Sequence, residues 1–176
     1  MICPDCGHEN IQGVDDCADC GQDLTAFDAP QGRSPLESSI MKEPIEKLQP
    51  RPAVILAPDA TVADAIAKLS EHHIGCVLVG SQEEILGIFS ERDVLLRIGD
   101  SYEKLAASPI SEFMTPDPET LGVEHPIAFA LNRMSVGDFR HLPVMRDGAL
   151  AGVVSIRDVL RFLGTWYPDL IPARPA

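Results

Sequence analysis

Gly87-Ile88-Phe89-Ser90-Glu91-Arg92-Asp93 and Gly152-Val153-Val154-Ser155-Ile156-Arg157-Asp158 are one phrase written twice, 65 residues apart. The offset holds without a gap well beyond the phrase. It pairs Pro44-Ile45 with Pro109-Ile110, Val62-Ala63 with Ile127-Ala128, Leu69-Ser70 with Met134-Ser135, Val79 with Val144, and Val94-Leu95 with Val159-Leu160. A single repetition at so long a period marks a duplicated supersecondary unit, because a solenoid stacks several short repeats. Each copy leaves an apolar face that the other must cover, so function is to be sought between the two.

Within each copy the hydrophobic period changes in the same order. A first strand, Ala53 to Leu56, is followed by a helix that Thr61-Val62-Ala63-Asp64 can cap, with Val62, Ile66 and Leu69 on its apolar face; Pro126 starts the matching helix, carrying Ile127, Leu131 and Met134. Two short apolar runs joined by a polar turn come next, Cys76 to Val79 with Ile85 to Phe89, and Leu142 to Met145 with Leu150 to Val154 around Asp147-Gly148. Ser90 and Ser155 then open amphipathic helices bearing Val94, Leu95 and Ile98, or Val159, Leu160 and Leu163. The expected fold is α/β (α+β), two pseudo-symmetric β-α-β-β-α repeats packed as a pair.

A chain of 176 residues that is 45% hydrophobic can bury a sizeable core. It shows no apolar run near the roughly 18 residues of a membrane helix, and Met1-Ile2-Cys3-Pro4 lacks the features of a secretion signal, so a cytoplasmic protein without a membrane partner is expected. The formal net charge of −13 repels polyanions, so nucleic-acid binding would require a local basic patch.

Cys3-Pro4-Asp5-Cys6-Gly7 and Cys17-Ala18-Asp19-Cys20-Gly21 are two CxxC knuckles with ten residues between them, a spacing that closes four thiolates around one tetrahedral ion. Zn²⁺ fits, since four sulfurs leave no open position and therefore specify a structural site. Iron in a Cys₄ centre shares the ligand set. The segment from Cys3 to Leu24 resembles the short N-terminal zinc ribbons of many bacterial and archaeal proteins. Some of these bind nucleic acid and others dock proteins. Asp5, Glu9, Asp15, Asp16, Asp19 and Asp23 precede the first basic residue, Arg33, so a docking or structural role is expected. Thr25 to Ser34 reads as a linker, and Ser34-Pro35-Leu36-Glu37 starts a short helix that stops before Pro44. The organisation expected is a ribbon over 1–24, linker and helix over 25–43, repeats over 44–107 and 108–164, and a tail over 165–176.

The repeated phrase places a Ser and an Asp around a helix N-terminus, which is a ready anion site. Ser90 and Ser155 can donate to phosphate, Asp93 and Asp158 can accept from paired ribose hydroxyls, and Arg92 and Arg157 can supply charge. The same spacing is also a capping box, which by itself accounts for the Ser and the Asp through about 1 kcal/mol of helix stability. Arg140-His141, ahead of Leu142-Pro143-Val144, adds a phosphate contact. Its counterpart is Gly75-Cys76, so the second copy is expected to suit an anion better.

With these residues, and with Phe113-Met114-Thr115 and Arg140-His141-Leu142-Pro143-Val144, the stretch from Pro44 to Leu163 resembles tandem CBS (cystathionine-β-synthase) domains, the pair called a Bateman module. The resemblance implies two clefts for adenosine derivatives such as AMP, ADP, ATP or S-adenosylmethionine. It implies ribose on Asp93 and Asp158, phosphate near Ser90, Ser155, Arg140 and His141, and adenine framed by Ala53-Val54, Ile74-Gly75 and Glu119-Thr120. It also implies a homodimer. Nothing in the chain pairs a nucleophile with a base, opens a metal site or forms a Walker loop, so no catalysis is expected. His72-His73 reads as a helix end and Cys76 as a buried hydrophobe. The leading expectation is a sensor of an adenosine ligand acting on an unidentified regulated protein. Its rivals are a Cys₄ iron redox module on a CBS dimerisation platform and, disfavoured by charge, nucleic-acid binding through the ribbon.

Overall fold

The computed structural model describes residues 2–11, 14–24 and 34–167. The linker expected from Thr25, up to Ser34, and the tail from Pro168 onward lie outside the described residues. The chain divides into two units, Met1–Met41 and Lys42–Ala176.

In the first unit each knuckle makes the same turn. The Gly7 N–H donates to the Cys3 carbonyl at 3.0 Å and the Gly21 N–H to the Cys17 carbonyl at 2.9 Å, with both glycines at positive φ, 77° and 71°. Leu24 is fully buried against Cys3 and Cys17, so one leucine serves as the ribbon's core. Helix α1 (Pro35–Lys42) follows, with Ser34 Oγ accepting from the Glu37 N–H at 3.1 Å, the cap that Ser34-Pro35-Leu36-Glu37 specifies.

The second unit holds two sheets. The first runs β1 (Ile55–Leu56), β2 (Cys76–Gly80), β3 (Ile85–Ser90), β4 (Thr115–Pro116); the second runs β5 (Leu121–Gly122), β6 (His141–Arg146), β7 (Ala149–Ser155). In each copy the first strand lies parallel to the second and the next pairing is antiparallel. The long connection from first to second strand holds helix α2 (Val62–Glu71) or α5 (Ile127–Val136). Thr61 caps α2 through the expected box with Asp64. Asp147 and Gly148, both at positive φ, close the β6–β7 hairpin. Val62, Ala65, Leu69, Val77, Val79, Phe89, Ile98 and Ile110 form the first core, where each large side chain contributes about 1.5–3 kcal/mol. Ile127, Ala130, Met134, Leu142, Val144, Val154, Val159 and Phe162 are buried at the equivalent depth of the second copy.

The copies exchange their leading segments. β4, which heads the second copy, pairs with β3 of the first, while Arg51, heading the first, bridges to Val153 on β7 of the second. Pro44 bridges Pro126 and Thr61 bridges Pro109, two contacts that the 65-residue offset maps onto each other. Neither copy closes on itself.

The segments after the repeated phrase differ from the expectation and from each other. In the second copy α6 (Ile156–Trp166) is continuous and includes Trp166, which was read as tail. In the first copy α3 (Glu91–Asp93) widens into a π-helical turn over Val94–Ile98, and after Gly99–Ser101 the chain resumes as α4 (Tyr102–Leu105). Leu95 and Leu160, expected on the apolar faces, are 76% and 54% exposed; Ile98 and Val159 are buried as expected, and Phe162 joins the core unforeseen.

Candidate functional site

Both Ser-x-x-Asp spacings close as capping boxes. Asp93 Oδ2 accepts from the Ser90 N–H at 2.9 Å and from Ser90 Oγ at 2.7 Å; Asp158 Oδ2 accepts from the Ser155 N–H at 2.8 Å and from Ser155 Oγ at 2.6 Å. The capping reading is thus realised in both copies. What differs is the surroundings.

A cavity of about 740 Å³, within the range of small-molecule sites, opens beside the first cap. Its wall brings together Gly75, Ser90, Arg92 and Asp93 from the first copy with Glu119, Arg140 and His141 from the second. Arg140-His141 therefore lines the first helix opening, while its backbone stays beside the second cap as the sequence reading expected, His141 pairing with Ser155 and the Ile156 N–H donating to the Arg140 carbonyl at 3.1 Å. The head of β6 lies against the segment that leads into β2. A Cβ at Gly75 would collide with the His141 imidazole, so the glycine is what lets the ring lie there. Of the other expected residues, Val54 and Ile74 pack on the first core. Ala53, Thr120, Ser155, Arg157 and Asp158 lie outside the cavity lining.

The cavity also gathers residues to which the sequence reading gave no site role: Arg97, Thr115, Asp117, Pro118, Asp138 and Phe139, with Leu95 and Leu96. Arg97, four positions after Asp93, was legible as an i,i+4 partner; its Nε lies 3.3 Å from Asp93 Oδ1. Asp138 was legible only as a neighbour of Arg140. It sits at φ 51° and takes Arg92 through two contacts, NH1 to its carbonyl at 2.7 Å and NH2 to Oδ2 at 2.8 Å. Arg92 consequently joins the two copies across the cavity rim. The pairing holds the Asp138 carboxyl below the usual range. Burial pushes the His141 imidazole below its ordinary value, against the pull of Glu91, so it is neutral near pH 7.

At the second opening, Asp158 is 4% exposed. Its Oδ1 receives Arg161 NH1 at 2.8 Å and Arg51 NH2 at 3.3 Å. Burial raises its pKa, but the Ser155 hydrogen bonds, Arg161 and Arg51 together hold it below the usual carboxylate value. Cys76 is buried in β2 and its thiol is pushed up to about 12 by that burial, which makes it inert as a nucleophile.

In the ribbon, Cys3, Cys6, Cys17 and Cys20 bring their sulfurs within 4.8 Å of one another, with Cys3–Cys20 and Cys6–Cys17 at 3.6 Å. Four thiolates at about 2.3 Å from a tetrahedral ion would stand roughly 3.8 Å apart, so the cluster can hold a metal. Asn10 supports it from behind, donating to Cys17 Sγ at 3.4 Å and accepting the Ala18 N–H at 3.0 Å. The Cys20 backbone N–H, with further help from Asn10, draws the Cys17 thiol down to about 6. Among the described residues, no helix is long and apolar enough to cross a membrane.

Comparison with known proteins gives matches to the CBS domain model at residues 38–100 and 110–165. An uncharacterised 17.7 kDa protein of Acidianus ambivalens is 34% identical over 111 residues, covering 62% of this chain and 66% of that one. This chain spans about two thirds of that relative and less of others, 52% for the mitochondrial CBS domain-containing protein CBSX3 of Arabidopsis thaliana at 32% identity over 58% of this chain. Among solved structures, a CBS-domain containing protein from Agrobacterium tumefaciens superposes with a TM-score of 0.61 at 31% identity, covering 66% of this chain and 95% of that one. A CBS domain protein from Pyrobaculum aerophilum, solved in complex with AMP, gives 0.59 at 26% identity over 69% and 98%.

Proposed function

The chain belongs to the CBS domain family, and from that premise we propose that it is a non-catalytic regulatory protein whose cavity takes an adenosine-containing ligand, a nucleoside monophosphate before a triphosphate. The observation that carries this reading is the meeting, in one cavity, of the Ser90–Asp93 helix opening with Arg140 and His141 from the other copy. The structural relative complexed with AMP supports it by likeness.

Charge narrows the ligand. The wall carries the guanidiniums of Arg92, Arg97 and Arg140 against the carboxylates of Glu91, Asp93, Asp117, Glu119 and Asp138. Arg92 is paired with Asp138 and Arg97 with Asp93. Arg140 is left to meet a phosphate. One cation in a net acidic wall suits a single phosphate and opposes a chain of three.

The ribbon is proposed as a zinc-held docking element for the regulated protein, its acidic surface excluding nucleic acid. A second copy covering exposed Phe129, Val136 and Leu160 is the proposed dimer. Thermal unfolding with AMP, ADP, ATP, S-adenosylmethionine and NADH tests the sensor. A ligand at 100 times its Kd should add about 2.7 kcal/mol and raise Tm by several degrees, AMP acting at lower concentration than ATP. No shift with any of them would end the reading. Elemental analysis of protein purified without added metal tests zinc against a coloured iron centre.

A further inference from the structure

We propose that the chain binds one adenosine ligand, at the first helix opening, because Arg51 plugs the second by occupying Asp158. This rests on the sensor reading above and adds a stoichiometry and the residue that sets it.

The acid that a ribose would need in the second copy has no lone pair to spare. Asp158 Oδ2 takes the Ser155 N–H and hydroxyl, while Oδ1 takes Arg161 at 2.8 Å and Arg51 at 3.3 Å. A ribose diol entering there would have to displace a guanidinium from a carboxylate whose side chain is only 5% exposed. Asp93 in the first copy meets only Arg97 on the corresponding oxygen, its side chain is 13% exposed, and it lines the cavity.

The difference is written at positions that the duplication makes equivalent. The 65-residue offset sets Arg51 opposite Pro116, so the second arginine on Asp158 has no counterpart at Asp93, while Arg161, opposite Leu96, has its role taken there by Arg97. Arg51 is also held by its backbone. Its N–H donates to the Val153 carbonyl at 3.0 Å and its carbonyl accepts from the Val153 N–H at 2.9 Å. Gly152, at φ 149°, passes so close to the Arg51 carbonyl that a side chain there would collide with it. A main chain fixed on β7 sets the Arg51 side chain beside Asp158, so only side-chain freedom is lost when the two pair.

Isothermal titration of the full chain with AMP tests the proposal, on the native protein, Arg51→Ala and Asp93→Asn, each first shown to unfold cooperatively in urea. The expected result is one AMP per native chain, two per chain in Arg51→Ala, and at least a tenfold loss of affinity in Asp93→Asn. Two sites in the native protein, a single site in Arg51→Ala, or undiminished binding in Asp93→Asn would each overturn it while leaving the sensor reading intact. Absence of binding in all three proteins would instead overturn the sensor reading, and the plug with it.

Discussion

Compare the two helix openings. Both begin with a glycine, both are capped by a serine and an aspartate within 3.0 Å, and both follow the end of an antiparallel strand. One opens on a cavity of about 740 Å³, and at the other two arginines meet the aspartate. After the cap, α6 runs on as a regular helix, whereas the first copy widens into a π-helical turn that leaves Leu95 and Leu96 exposed along the cavity wall. Such wide turns recur at functional sites. The lesson is that a local motif sets the cap, while residues distant in sequence decide whether the cap also serves as a receptor.

The largest test of that contrast is stability. Asp158→Ala should cost about 2 kcal/mol in urea unfolding, because it removes a cap and an acid shared by two cations, while Asp93→Ala, with a cap and one such partner, should cost about 1 kcal/mol. Equal losses would erase the distinction between the openings. Next comes affinity: Arg140→Ala should weaken AMP about tenfold and adenosine hardly at all, with Arg157→Ala within about twofold of the native protein. If Arg157 mattered more than Arg140, the basic pair would belong to the other opening.

Acid sharpens the same comparison. The folded Asp158 carboxyl lies below its ordinary value, so it stabilises the fold above about pH 4 and loses that contribution as pH falls through its folded pKa. His141 acts in the same direction for a different reason. Its folded pKa is lowered by burial, so below about pH 6.5 the unfolded chain binds the proton more readily and stability declines. His141→Gln should flatten the stability profile near pH 6, and Asp158→Asn the profile near pH 3; unfolding midpoints across pH 3–8 check both, and an unchanged profile in either would remove that group from the account. The smallest effect is expected from Arg92→Ala. Its ion pair with Asp138 joins the copies at 2.8 Å but is solvent-exposed on both sides, so the urea midpoint should hardly move in the same assay. A drop as large as that of Asp158→Ala would make it a principal strut between copies.

Much of the fold was legible. The doubled phrase fixed the duplication, the short apolar runs at Cys76–Val79 and Leu142–Met145 fixed the inner strands, and Thr61 and Asp64 fixed the start of α2, because each signal is carried by neighbours along the chain. β4 was not legible: Thr115–Pro116 is short, and its partner β3 belongs to the other copy. The exposure of Leu95 was missed because a regular 3.6-residue helix was assumed where a π-helical turn forms. The reading placed Arg140 and His141 at the strand head beside the second cap, where His141 pairs with Ser155, but could not show that they also line the cavity at the first, since register within a copy says nothing of which copy lies opposite.

By itself, then, the sequence determined a duplicated α/β unit, capped helix openings and four cysteines at metal-binding spacing. Short-range spacing is enough for those, because caps, short apolar runs and knuckle turns are each settled within a few residues of chain. Only the tertiary structure decided that Arg140 and His141 line the cavity at the first opening and that Arg51 reaches Asp158 at the second. Those assignments depend on segments crossing between the copies, and a contact made over 46 or 107 residues leaves no periodic trace in the chain.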